Sequence, residues 1–202
     1  MSLTDINIHL FRIINDLGKE YTALNPVMVF IADYMIYFLA VAIVFFCLSR
    51  NKVNRIMVLC AGLSVVAAEI IGKLAGIFYS NYQPFAELTT VNQLIEKAVD
   101  NSFPSDHTII FFSVCVTFWL FQRGWGLIWI GLAALVGFSR IWVGVHYPGD
   151  VLAAIIISSL MANLMYRVVP KLRITQTILK KVEKVEEFVQ SHLKKKTNSR
   201  DM

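Results

Sequence analysis

Residues 139–150 read S-R-I-W-V-G-V-H-Y-P-G-D. On either side, at about 125–138 and 151–169, lie apolar runs that can enter a membrane. Three groups suited to phosphate chemistry sit in the loop between them: Arg140, His146 and Asp150. A guanidinium forks onto two phosphate oxygens and stays charged at any working pH. A neutral imidazole is a nucleophile near pH 7, and a carboxylate four residues on can hold its other ring nitrogen. Pro148-Gly149 turns the chain between them, so Asp150 can fold back toward the ring. If Asp150 opens the helix that follows, it also serves as its N-cap. A plain polar loop between two spans, with Asp150 only capping, would carry the same residues.

Outward from this loop the composition fixes the class. Of 202 residues, 56% are hydrophobic and 16% charged, and the mean hydropathy is +0.60. Such a chain has too little polar surface to cover itself in water, so it reads as an integral membrane protein. The formal charge is +5, and 10 of the 19 Lys and Arg residues lie from Arg167 onward. That asymmetry points to membrane orientation and away from nucleic acid. Cys47, Cys60 and Cys115 all fall in apolar runs without metal-ligand spacing, so neither a disulfide framework nor a metal site is expected. The first residues carry no basic n-region and no small-residue cleavage site, so the first span is expected to do the targeting.

The spacing predicts an all-α bundle of about five transmembrane helices. They cover roughly 26–48, 56–79, 108–121, 125–138 and 151–169, with Pro170 as the stop. An amphipathic helix over 5–19 precedes them on the membrane surface, with Ile6, Leu10, Ile13, Ile14 and Leu17 on one face. Residues 80–106 are polar and irregular, with a short helix expected over 89–99. The third and fourth runs are about 14 residues each, below the ~20 that cross the hydrocarbon core. They must recruit flanking polar residues, and those are where His107 and Arg140 lie. Basic loops at 49–55 and 122–124 and the basic tail share one side, so the C-terminus is placed in the cytoplasm. The loops at 80–106 and 139–150 then face outside. Residues 1–172 form the membrane domain, and 173–202 a cytoplasmic tail whose stripe Ile178, Val182, Val185, Val189 and Leu193 fits an amphipathic helix on anionic lipid.

A second cluster, F-P-S-D-H-T at 103–108, stands where the third span begins. A helix start is a ready anion site, and Ser105 adds a hydroxyl. His107 in the first turn can exchange a proton with a leaving oxygen. Lys73 lies four residues after Glu69 on the second span, where the pair either neutralises itself or contributes to a site.

P-S-D-H at 104–107 and S-R-x5-H-x3-D at 139–150 together resemble the second and third signatures of the type 2 phosphatidic acid phosphatases (PAP2). Asp106 stands where that superfamily usually has glycine. The first signature, Lys-x6-Arg-Pro, is only half kept: Lys73 is present, but Ser80 and Asn81 follow at that distance. The proline reappears in Gln83-Pro84-Phe85, and no arginine occurs between Lys73 and Arg123. One phosphate-clamping cation is missing, or replaced by a neutral donor such as Gln83.

The resemblance implies a metal-independent phosphatase without cofactor. In it His146 attacks phosphorus, Asp150 orients the ring, and His107 protonates the leaving oxygen. Lys73, Ser105, Ser139 and Arg140 would hold the phosphoryl oxygens, with Glu69, Gln83 and Asp106 around them. Among small relatives the resemblance is to the bacterial undecaprenyl-diphosphate phosphatases of the bacitracin-resistance type. It implies a lipid diphosphate substrate, handled at the outer face of the cytoplasmic membrane to recycle carrier lipid for the cell wall. Phosphatidylglycerophosphate, diacylglycerol diphosphate and phosphatidate are alternatives from the same chemistry. A non-enzymatic lipid carrier or scaffold is an alternative from another class.

Overall fold

The computed structural model describes residues 2–49, 51–177 and 180–181. Eight α-helices account for its architecture: α1 Leu3–Glu20, α2 Asn25–Asp33, α3 Met35–Leu48, α4 Lys52–Phe78, α5 Pro84–Glu87, α6 Asp106–Gln122, α7 Leu127–Trp142 and α8 Pro148–Val168. Apart from an isolated bridge between Tyr82 and Asn101, regular structure among the described residues is helical. The chain is therefore an all-α integral membrane protein. Lys52–Phe78, Gly124–Trp142 and Pro148–Lys171 are each long and apolar enough to cross a membrane, and the bent pair Thr22–Asp33 and Met35–Leu48 makes a fourth candidate. The proposed tail stripe from Ile178 to Leu193 lies outside the described residues.

α6 is the axle of the bundle. At 17 residues it is the shorter apolar helix, and it is apolar on every side, which suits a helix enclosed all round. Phe111, Val114, Cys115 and Phe118 are fully buried in it. α4, α7 and α8 pack around it. The outward faces of α3, α4 and α8 carry Phe45, Ile77 and Leu160, exposed as lipid contact requires.

Three expectations change in detail. The run over 26–48 is not one straight helix, because it bends by 42° at Tyr34. The helix expected over 89–99 forms instead at Pro84–Glu87, where Pro84 supplies a first-turn residue. Residues 89–99 lose helical continuity at Thr90, whose φ is +59°. Their backbone bonds go to neighbours: Leu94 N–H donates to the Val143 carbonyl, and Asn92 N–H to Asn15 Oδ1. Finally, the N-cap of α8 is Tyr147 rather than Asp150. Asp150 sits one turn in and reaches back to accept from the Tyr147 N–H at 2.9 Å.

The short third and fourth runs do recruit their polar ends. α6 starts at Asp106 and α7 runs on to Trp142, so His107 and Arg140 lie inside the helix ends. Over this end of the bundle lies α1, which buries Phe11, Asn15 and Gly18; of the expected stripe Ile14 and Leu17 pack against the bundle, while Ile6, Leu10 and Ile13 stay exposed. Asn15 is 0% exposed and donates to the carbonyls of Trp142 (2.8 Å) and Asn92 (3.0 Å). Nearer its start, Asn7 accepts from the Gly149 N–H.

Candidate active site

The turn that ends α7 aims the histidine. Val143 N–H returns to the Ser139 carbonyl, Gly144 N–H to Ile141 and Val145 N–H to Arg140. Gly144 has φ +85°, and a Cβ there would lie 2.9 Å from the Asn92 carbonyl oxygen. Only glycine fits that conformation and that approach. His146 then emerges 2% exposed against the residues that precede α6.

Ser102 holds the Nδ1 side of its ring. Nδ1 lies 2.9 Å from the Ser102 carbonyl oxygen and 3.1 Å from the Ser102 hydroxyl. A carbonyl can only accept, so Nδ1 carries the proton and Nε2 is left with its lone pair. Asp150 Oδ2 stands 3.7 Å from Nδ1, too long for a direct hydrogen bond. The link runs through Ser102, whose hydroxyl donates to Asp150 Oδ2 at 2.6 Å. Asn81 reaches Asp150 Oδ1 at 3.5 Å, so three donors converge on this buried carboxylate. Burial holds the His146 imidazole below the usual histidine range, and Lys97 and Arg140 add to that against the pull of Asp150. Nε2 is thus an unprotonated nucleophile at neutral pH.

Arg140 is 2% exposed. One arm is anchored: Nη1 donates to the Ala32 carbonyl (3.0 Å) and to Asp33 (3.3 Å), at the break between α2 and α3. The last carbonyls of a helix lack partners within it, so the bend supplies this anchor. The rest of the fork is uncommitted. Nε is buried with no hydrogen-bond partner, which marks a donor awaiting an acceptor.

Around Nε2 the described charges are few. Arg140 and Lys97 act on both His146 and His107, and His146 acts on His107. Lys97 Nζ lies 3.5 Å from His146 Nε2. Ser105 is fully buried before α6; its oxygen accepts from Thr108 and does not cap the helix. Ser139 is buried with its hydroxyl on the Val136 carbonyl. Asp106 is exposed at the rim.

The structure thus brings His146, Asp150, His107, Arg140 and Ser105 to one end of the bundle. Lys73 is exposed and acts on Glu69, whose Oε1 is buried without a hydrogen bond. Lys73 is not among the charges that act on the two histidines, although the next residue back, Gly72, abuts Pro104. Gln83 spends both ends of its amide on the backbone of residues 98–100. It is buried, accepts from the Asp100 N–H at 3.0 Å and approaches the Ala98 carbonyl at 3.4 Å. Sequence reasoning passed over Ser102, Lys97 and the anchoring role of Asp33. Lys97 carried one signal, being the sole Lys or Arg in 80–106.

Beside the site a cavity of about 580 Å³ opens between α1 and α8. Ile6, Leu10, Tyr79, Phe103 and Leu152 line it, and Asp150 is at its wall. Neither histidine nor Arg140 lines it, so it is an apolar approach and not the phosphate site itself.

Comparison with known proteins agrees with this geometry. The PAP2 superfamily profile matches residues 57–174. The chain is 51% identical to the "Bacitracin transport permease protein BcrC" of Bacillus licheniformis, over 94% of this chain and 93% of that one. It is 38% identical to the "Undecaprenyl-diphosphatase BcrC" of Bacillus subtilis, over 80% and 83%. Among solved structures, Aquifex aeolicus LpxE superposes with a TM-score of 0.60 at 23% identity, over 83% of this chain and 99% of that one, a likeness of fold.

Proposed function

The chain belongs to the PAP2 superfamily, and on that premise we propose that it is a membrane phosphatase that removes the terminal phosphate of undecaprenyl diphosphate. The observation that carries the chemistry is the state of His146: Nδ1–H tied to the Ser102 carbonyl, and Nε2 left with its lone pair, 3.5 Å from Lys97 Nζ. Nε2 attacks the terminal phosphorus, and the bond from phosphorus to the bridging oxygen breaks. Burial, then Arg140, His146 and Lys97, hold His107 well below the usual histidine range, so it takes up its proton as the anionic diphosphate binds. It gives that proton to the bridging oxygen, releasing the lipid monophosphate and leaving a phosphohistidine. His107, now neutral, takes a proton from water, and the resulting attack on phosphorus returns His146 and frees phosphate. Asp150 steadies the cationic ring through the Ser102 hydroxyl. Charge in such a transition state spreads over the equatorial oxygens, so fixed donors supply most of the stabilisation. Arg140, Ser105 and the first N–H groups of α6 are the donors offered to those oxygens, whereas the Ser139 hydroxyl is held by the Val136 carbonyl and Lys73 acts on Glu69.

Two features support a lipid diphosphate. The cavity between α1 and α8 has Asp150 at its wall and offers an isoprenoid chain the apolar side chains of Leu3, Ile6, Leu10, Phe103 and Leu152. The relatives' names join bacitracin to undecaprenyl-diphosphatase activity. The name of the Bacillus licheniformis relative raises transport as a second reading. A polar path through the bundle is what transport would need, whereas the middle of α6 is packed with Phe111, Phe112 and Phe118. We place the site outside and the tail 173–202 in the cytoplasm on the charge asymmetry of the loops, with 1–172 as the catalytic domain.

The test is phosphate release by purified protein from undecaprenyl diphosphate, phosphatidylglycerophosphate and phosphatidate, with His146→Ala as control. Preference for the isoprenoid diphosphate, lost in the variant, is the expected result. Preference for a glycerolipid would move the protein into phospholipid metabolism, and inactivity on all three would overturn the phosphatase reading.

A further inference from the structure

We propose that Lys97 is a phosphate-binding residue of this site, replacing the arginine that the family's first signature carries and this chain lacks. The proposal rests on the phosphatase reading above and adds to it a residue outside all three signatures.

Position is the first argument. Lys97 Nζ stands 3.5 Å from His146 Nε2, the nitrogen left free to attack. In-line attack needs phosphorus at roughly 3–3.5 Å from the nucleophile. A phosphoryl group that reaches Nε2 therefore meets the Lys97 ammonium, which can move from the ring nitrogen onto an equatorial oxygen.

Availability is the second. Lys97 is half-buried, yet among the described residues its ammonium makes no ion pair within 4.0 Å. Burial holds it below the usual lysine range, and Arg140 adds to this, while Asp106, Asp100 and Asp150 draw it back up. A sheltered cation committed to no carboxylate is free for an anionic ligand.

The third argument is how the chain delivers it. Its segment is pinned at both ends: Leu94 N–H bonds to Val143 in the turn before His146, and Gln83 brackets Ala98 and Asp100. Gln83 precedes Pro84, as the arginine precedes proline in the signature. The residue in the arginine's place has become the clamp that holds the loop carrying Lys97.

The experiment uses the full chain in detergent, with Lys97→Met and Lys97→Arg. Thermal protection by inorganic phosphate reads binding without turnover. Phosphate release from undecaprenyl diphosphate reads catalysis across pH. Lys97→Met should weaken the phosphate dissociation constant about tenfold or more and lower kcat/KM about 100-fold. Loss of its charge should also move the acid limb of the rate upward in pH, because one of the cations disfavouring protonated His146 is gone. Asp150, Arg140 and His107, the other groups facing that ring, stay in place. Lys97→Arg should recover most of both binding and rate. Unchanged phosphate protection and an unmoved acid limb in Lys97→Met would overturn the proposal, even if activity fell. Phosphate protection that depends on Lys97 in a protein inactive on every lipid would retain this site and remove the substrate reading instead.

Discussion

Removing the Ser102 hydroxyl separates orientation of the nucleophile from stabilisation of its charge. In Ser102→Ala the backbone carbonyl still holds Nδ1–H at 2.9 Å, so the ring keeps its tautomer and direction. What disappears is the bond of 2.6 Å to Asp150 and, with it, the path from ring to carboxylate. The carboxylate keeps the Tyr147 N–H at 2.9 Å and the distant Asn81 amide. A hydrogen bond to a buried charged group contributes about 1.5–3 kcal/mol. If that stabilisation belongs to the cationic phosphohistidine and its transition state, kcat falls by about 10–150-fold. KM stays near its wild-type value, because Ser102 lies behind the ring, away from Nε2. Steady-state phosphate release from undecaprenyl diphosphate, with His146→Ala as the floor, reads this directly. A variant within about twofold of wild type would show that the carbonyl alone suffices. One as dead as His146→Ala would show that Ser102 fixes the ring outright. Either result refutes the relay.

Arg140→Lys should lower kcat/KM by about 100-fold or more, because an ammonium cannot hold the α2 break with one arm and phosphate with another; Asp33→Asn should give a smaller loss in the same assay. Because burial first, then Lys97 and Arg140, hold His146 below the ordinary histidine pKa of about 6.5, the neutral, attacking form persists from neutrality down through pH 6.5. The rate should decline only below that, as the ring is protonated, and an acid limb centred at pH 7 would contradict the assignment. Asn15→Ala removes three buried hydrogen bonds between α1 and the loops beneath it. It should cost about 2–4 kcal/mol, read as a lower melting temperature in detergent with the far-UV helical signal intact below it.

Hydropathy made the helical membrane class plain, since apolar runs long enough to span leave few alternatives. The complete third signature and the nearly complete second made His146, Asp150, His107 and Arg140 legible as candidates, because residue type and spacing along a short stretch suffice to suggest their roles. Long-range partners were not legible in that way. Ser102 acts on residues more than forty positions away, and nothing in its local pattern distinguishes it from a loop serine. Nothing local to Asp33 names its partner, which lies 107 positions away: it pairs with Arg140 from beside the bend at Tyr34. The helix expected over 89–99 failed because tertiary hydrogen bonds took its backbone groups. The departure of the first signature was itself informative. It stated that a cation was missing or replaced by a neutral donor, and Lys97 is the sole Lys or Arg of residues 80–106.

The position of α1 has a consequence for how the protein matures. Asn15 bonds to Trp142 and Asn7 to Gly149, contacts between residues 127 and 142 positions apart. α1, made well before these partners, therefore has no finished surface to dock on until the motif loop and the start of α8 have been made. Contacts this distant in sequence close late, because their loop entropy must first be met by other packing. Assembly of the catalytic end is accordingly a closing event of biogenesis, and nascent chains stopped before Pro148 should insert their early helices yet lack a sealed site.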